Sequence, residues 1–123
     1  LAGAVIVSTP QDLSLIDARR GITMFRKVDV PILGIVENMA HFICPDCGAQ
    51  HAIFGEGGAR DEATRLGVPF LGAVPLTMAL RQASDAGQPV VARDPDGALG
   101  QAYAAIARGV MAALAQQEPN RKP

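Results

Sequence analysis

The stretch VPILGIVEN, Val30 to Asn38, decides the fold of this chain. It is a short apolar run entered through a proline, the pattern of a strand covered on both faces of a sheet. A second run of this kind, GAVIVS, occupies Gly3 to Ser8. Between the two, Leu15, Ala18, Ile22 and Phe25 recur at three- and four-residue spacing and outline one apolar helix face. Thr9 is placed to cap that helix, Pro10 suits its first position, and Asp12 falls third, where a carboxylate favours the helix dipole. Strand, helix and strand make a βαβ unit, expected to be parallel and right-handed. Arg19, Arg20, Arg26 and Lys27 lie mostly off the apolar face and read as a solvated surface.

Downstream, the segment from His41 is rich in Gly, Pro and polar residues and predicts a loop or small excursion. Ala59, Ala63 and Leu66 mark a short helix that ends at Gly67, a good C-terminal cap. PFLGAVP, Pro69 to Pro75, predicts a third strand. Leu76, Ala79, Leu80 and Ala83 outline another helix closed by Gly87, and VVARDPDG (90–97) reads as a turn-forming linker. A last helix carries Leu99, Tyr103, Ile106, Val110 and Leu114 on one stripe, and the polar tail QEPNRKP (117–123) is expected to fray. The fold class is therefore α/β, with a partial, mostly parallel sheet of three strands and flanking helices. Three strands with two buried faces read as part of a larger sheet. Leu1 runs almost at once into a strand, so a piece of a longer protein is expected.

Composition narrows the function. The chain has 123 residues, 49% of them hydrophobic and 4% aromatic, so its core is built from Ala, Val, Ile and Leu. A formal charge of −1 gives no electrostatic case for nucleic acid or an anionic membrane. No apolar run approaches the roughly 20 residues of a membrane helix, and no signal sequence opens the chain. Cys44 and Cys47 stand too close in sequence to staple a fold, which favours a cytoplasmic setting and metal or redox use of the thiols.

The two cysteines lie in HFICPDCGAQH, residues 41–51. CPDCG has the form of a metal knuckle, in which backbone N–H groups turn towards sulfur and stabilise the thiolates that bind metal. A thioredoxin-type redox pair competes with that reading, but it needs a helix starting at the first cysteine, and GAQHAIFGEGG is a poor helix. Two ordinary free thiols in a loop are the plain alternative. For a metal, half a tetrahedral set is present. Either His41 and His51 complete a Cys2His2 zinc site in one chain, or a second copy supplies two more cysteines, enough for a [4Fe–4S] cluster. Spacing leaves both open.

GAVIVSTPQD, IDARRGITMFRK, VPILGIVENM, CPDCG, IFGEGGA, LGVPFLGAVPL and SDAGQPVV, in this order and spacing, resemble the C-terminal portion of the Mrp/ApbC proteins. Those are P-loop ATPases of the MinD/ParA-like superfamily that carry iron–sulfur clusters. The resemblance runs from about Gly3 to Leu114, and VENM followed by CPDCG and IFGEGGA carries most of it. It implies that residues 1–123 are the C-terminal portion of a P-loop ATPase domain without its Walker A half, with the cluster loop at 41–54. It implies that Cys44 and Cys47 of two subunits bridge a [4Fe–4S] cluster for delivery to apo iron–sulfur proteins. It further implies that Asn38 recognises the adenine of ATP while Pro75 and Leu76 line the other side of the base. A carboxamide offers a donor and an acceptor side by side, which suits an adenine edge, and the C-terminal ends of parallel strands are where such sheets bind ligands.

No G-x-x-x-x-G-K-[ST] occurs in the sequence, and the glycines of GEGGAR read as a turn. Without that loop nothing cradles the phosphates or holds Mg²⁺, so this chain by itself is expected not to hydrolyse ATP. Apolar surface left uncovered is expected to drive self-association into a dimer or larger assembly. A structural zinc-knuckle interaction module is the alternative function, and zinc is also a substitute metal for the cysteines.

Overall fold

The computed structural model describes residues 1–117. The elements run in the order β1 (Ala4–Ser8), α1 (Asp12–Lys27), β2 (Ile32–Ile43), β3 (Gln50–His51), α2 (Gly58–Leu66), β4 (Phe70–Leu76), α3 (Met78–Asp85), α4 (Val90–Arg93) and α5 (Ala98–Gln117). Strand β2 is central: β1 and β4 flank it in parallel, and the two-residue β3 returns antiparallel to its far end. The sheet thus has four strands rather than the expected three. The polar tail beyond Gln117 lies outside the described residues.

One face of the sheet is covered by α1 and α2. Ile6 of β1 and Ile35 of β2 are register partners, and Leu15, Ile22, Ala59 and Ala63 close over them as a single buried cluster. Ile22 and Ile35 are each 1% exposed, which stabilises the fold by about 1.5–3 kcal/mol per side chain. Helix α1 is tied to α2 by Glu62, whose carboxylate accepts from both Arg19 and Arg65. Arg26 adds a hydrogen bond of 2.9 Å to the Leu66 carbonyl, and Arg60 lies over the Phe70 ring at 4.4 Å. Helix α2 ends as expected at Gly67, in the left-handed conformation at φ 69°.

The other face carries α5, whose stripe of Leu99, Tyr103, Ile106, Val110 and Leu114 is half-buried throughout. Its approach depends on two glycines. A Cβ at Gly72 would meet Ile106 Cγ1 at 2.9 Å, and one at Gly109 would meet Leu71 Cδ2 at 3.1 Å. Helix α5 also corrects the expectation about apolar length: its 20 residues are apolar and long enough, by length and composition, to cross a membrane. In the fold it lies against β4. Val5 and Val7 of β1, on the face away from Ile6, remain 38% and 60% exposed.

Three element boundaries differ from expectation, each for a local reason. Helix α1 begins at Asp12, because Ser14 Oγ takes the Thr9 N–H at 3.0 Å and meets the Ser8 hydroxyl at 2.9 Å, holding residues 9–11 as a corner outside the helix. Helix α3 begins at Met78 rather than Leu76, because Leu76 is still paired in the sheet and Thr77 is the cap, its hydroxyl accepting from the Leu80 N–H at 3.0 Å. The linker 90–97 contains the single-turn helix α4.

Candidate functional site

The strand that positions every candidate residue is β2. Its ladder to β1 ends at Ser8 opposite Glu37, and its regular pairing with β4 ends at Asn38 opposite Val74. The strand itself continues to Ile43, so Asn38 lies inside β2 and not at its end. Beyond it, Met39 adopts a left-handed backbone at φ 54°, and the register slips until Phe42 faces Leu76. Four residues of β2 there answer two of β4, a local bulge.

This arrangement brings Asn38, Pro75 and Leu76 to one end of two adjacent parallel strands, the C-terminal end at which open α/β sheets bind ligands. All three are half-buried. Strand alternation puts Leu76 on the face shared by Val74 and Asn38, whereas Pro75 turns to the opposite face. A groove of about 540 Å³ between α3, α4 and α5 begins beside them at Thr77.

The cysteine segment is a β-hairpin, not an irregular loop. Phe42 pairs with His51 and Ile43 with Gln50, and the turn between them carries both cysteines. The Cys44 N–H donates to the Ala49 carbonyl at 2.9 Å, and the Gly48 N–H donates to the Cys44 carbonyl at 2.9 Å. Gly48 closes the turn at φ 73°, a conformation that favours glycine. Both thiols are free, Cys44 half-buried and Cys47 exposed. The neighbouring backbone N–H groups of Cys47 and then Asp46, with the Cys47 thiol, hold the Cys44 pKa below its ordinary value. No helix starts at Cys44, so the geometry of a thioredoxin-type pair is absent.

The histidines do not join the cysteines. Phe42 and His51 are cross-strand partners and share a face, so His41, one residue away, belongs to the other face. Among the described residues no group of three or more His, Cys, Asp or Glu side chains converges on one point. The Cys2His2 arrangement is therefore not assembled, and each chain offers two thiols.

One residue escaped the sequence reading. Glu37, beside Asn38, is 5% exposed, and its Oε2 accepts the Ala59 N–H at 3.0 Å. Helix α2 has Gly57 at its N-cap position and no side-chain cap of its own, so the carboxylate from β2 fills that role. The available signal was a charge closing an otherwise apolar run.

The sequence model of ParA-type proteins described as the NUBPL iron-transfer P-loop NTPases matches residues 1–111. An Arabidopsis thaliana protein named as an iron–sulfur protein required for NADH dehydrogenase, mitochondrial, is 50% identical over 120 residues, covering 98% of this chain and 38% of its own. The iron–sulfur cluster transfer protein NUBPL of Mus musculus is 52% identical over 93% of this chain and 36% of its own. The iron–sulfur cluster carrier protein of Pseudomonas fragi is 50% identical over 87% and 37%. The chain thus spans well under half the length of these relatives. Among solved structures, a nucleotide-binding protein of Archaeoglobus fulgidus in complex with ADP superposes with a TM-score of 0.64 at 40% identity, over 78% of this chain and 38% of that one. The cell-division ATPase MinD of Pyrococcus furiosus superposes at 0.69 and 23% identity, over 90% and 43%, a likeness of fold.

Proposed function

The chain belongs to the NUBPL iron-transfer family of ParA-type P-loop NTPases, and from that premise we propose that it carries the cargo-binding and adenine-binding part of an iron–sulfur cluster carrier. The cargo is a [4Fe–4S] cluster held by Cys44 and Cys47 of two copies of the chain. The observation that carries this reading is the hairpin tip itself. It presents two free thiols in a single turn, one of them with its pKa lowered by neighbouring backbone N–H groups, with no third ligand gathered from the described residues. A four-cysteine cluster then needs a second chain.

The division of ligands suits delivery. Each copy holds half the set, so separating the copies exposes the cluster to the thiols of an apo iron–sulfur protein. Free thiols at an exposed turn fit a reducing, cytoplasmic setting. In the complete protein ATP binds at the C-terminal ends of β2 and β4. Asn38 offers its carboxamide to the adenine edge, and Leu76 lies on the same face. The ADP complex of the A. fulgidus relative supports nucleotide binding by this fold. The phosphate loop and its Mg²⁺ belong to sequence that this chain does not contain.

Native mass spectrometry after anaerobic reconstitution with iron and sulfide tests the reading. A dimer carrying one four-iron, four-sulfide unit is expected, and Cys44→Ser or Cys47→Ser abolishes it. A wild-type monomer holding a single zinc ion would overturn the proposal.

A further inference from the structure

The cysteine hairpin extends beyond the bulge that follows Asn38, and its returning limb leads into α2. Its two limbs are joined at the base by a single side chain. Glu37, the residue before Asn38, accepts the backbone N–H of Ala59, in the first turn of α2, across 22 positions of sequence. Among the described residues Glu37 is the one charged side chain that is buried, and Ala59 is 0% exposed. Besides this bond, the returning limb is held by the two β3 pairs and by packing at the Pro10 corner. Gly55 and Gly58 lie against the Pro10 corner, where a Cβ on Gly58 would meet the Pro10 carbonyl oxygen at 3.0 Å and Leu15 Cδ1 at 2.9 Å. Gly57 at the N-cap offers no side chain, so the first turn of α2 depends on the carboxylate brought from β2.

We propose that Glu37 is a positioning residue for the cysteine hairpin. Its carboxylate caps α2 from outside the helix and so clamps the base of the excursion that presents Cys44 and Cys47. Because Glu37 adjoins Asn38, the same clamp ties the outgoing limb at the adenine end to the returning limb. The importance of the clamp for cargo rests on the carrier reading above, whereas the clamp itself does not.

The test is hydrogen–deuterium exchange of the metal-free chain, read residue by residue, for wild type, Glu37→Ala and Glu37→Gln. Glu37→Ala is expected to raise exchange across residues 42–59 by about tenfold and leave the amides of β1 and of Leu33 to Val36 unchanged. Glu37→Gln keeps an acceptor oxygen and is expected to stay within about twofold of wild type. An Ala profile equal to wild type overturns the proposal. So does a rise spread evenly over β1, β2 and β4, the mark of a merely structural role. If Glu37→Ala does not fold, Glu37→Asp withdraws the carboxylate by one methylene. Selective exchange at 42–59 then supports the clamp, and an unchanged profile overturns it. Cluster loading and transfer are measured separately, so a chain that never takes a cluster still reports on Glu37.

Discussion

Gly72 of β4 lies directly beneath Ile106 of α5, so close that a Cβ would stand 2.9 Å from the isoleucine Cγ1. The backbone there is also at φ 152°, within the range that disfavours side chains. Two constraints therefore meet at one residue that carries no chemistry. Gly72→Val is expected to lift α5 from the sheet and cost about 2 kcal/mol. Urea unfolding checks this, and a midpoint equal to wild type would show that α5 is not docked through this contact.

Acid stability reports on the Glu62 ion pairs, one within α2 and one between α1 and α2. Two arginines hold the Glu62 carboxyl at about 2, below its ordinary 4.5, with the Arg65 hydrogen bond contributing most. A depressed carboxyl pKa contributes stability that is whole above pH 4.5 and is lost as pH falls towards 2. Arg19 and Arg65 are largely solvent-exposed, so screening limits the contribution to about 1 kcal/mol or less. Glu62→Gln should differ from wild type by that amount at pH 7 and converge with it near pH 2. A gap independent of pH would rule the ion pairs out as its source.

The Cys44 thiol, lowered by the N–H groups of Cys47 and Asp46, has a larger thiolate fraction at neutral pH than a thiol at its ordinary value of 9.0. Alkylation by iodoacetamide, followed by peptide mass mapping, should give a pH–rate midpoint below 9.0 for Cys44 in the folded chain. In urea the midpoint returns to the ordinary value. Coincident folded and unfolded profiles would remove the turn as an activator of the sulfur.

On the proposed adenine-binding reading, Asn38→Ala in the full-length protein is expected to weaken ATP binding by about tenfold. Equilibrium titration of ATP against GTP provides the check. Equal losses for both nucleotides would place the defect away from base recognition.

The parts of this architecture that were legible from the sequence are those governed by local pattern. Leu15, Ile22 and Ile35 fall where apolar periodicity puts them, and Gly67 stops its helix through backbone freedom that only its own identity supplies. What stayed hidden depends on partners far along the chain. The extension of β2 past Asn38 requires the left-handed turn of Met39 and the return of Gln50 and His51, neither of which alters the local pattern. The separation of His41 from His51 follows from the hairpin register, which spacing alone does not determine. Glu37 acquires its meaning from an N–H that is 22 residues away. The cysteine pair was recognisable at once, because its turn is self-contained. What could complete a metal site with it was not, because among the described residues no third ligand gathers there.

Strand β3 is only two residues long, so the hairpin tip rests on two cross-strand pairs beyond the bulge. So short a pairing adds little stability to the tip, which can open without the core. Cys44 and Cys47 can therefore exchange between ordered and frayed states while Ile22, Ile35 and Val74 stay packed. Opening the turn that carries the two sulfurs needs no unfolding of the domain, only the fraying of its shortest described strand.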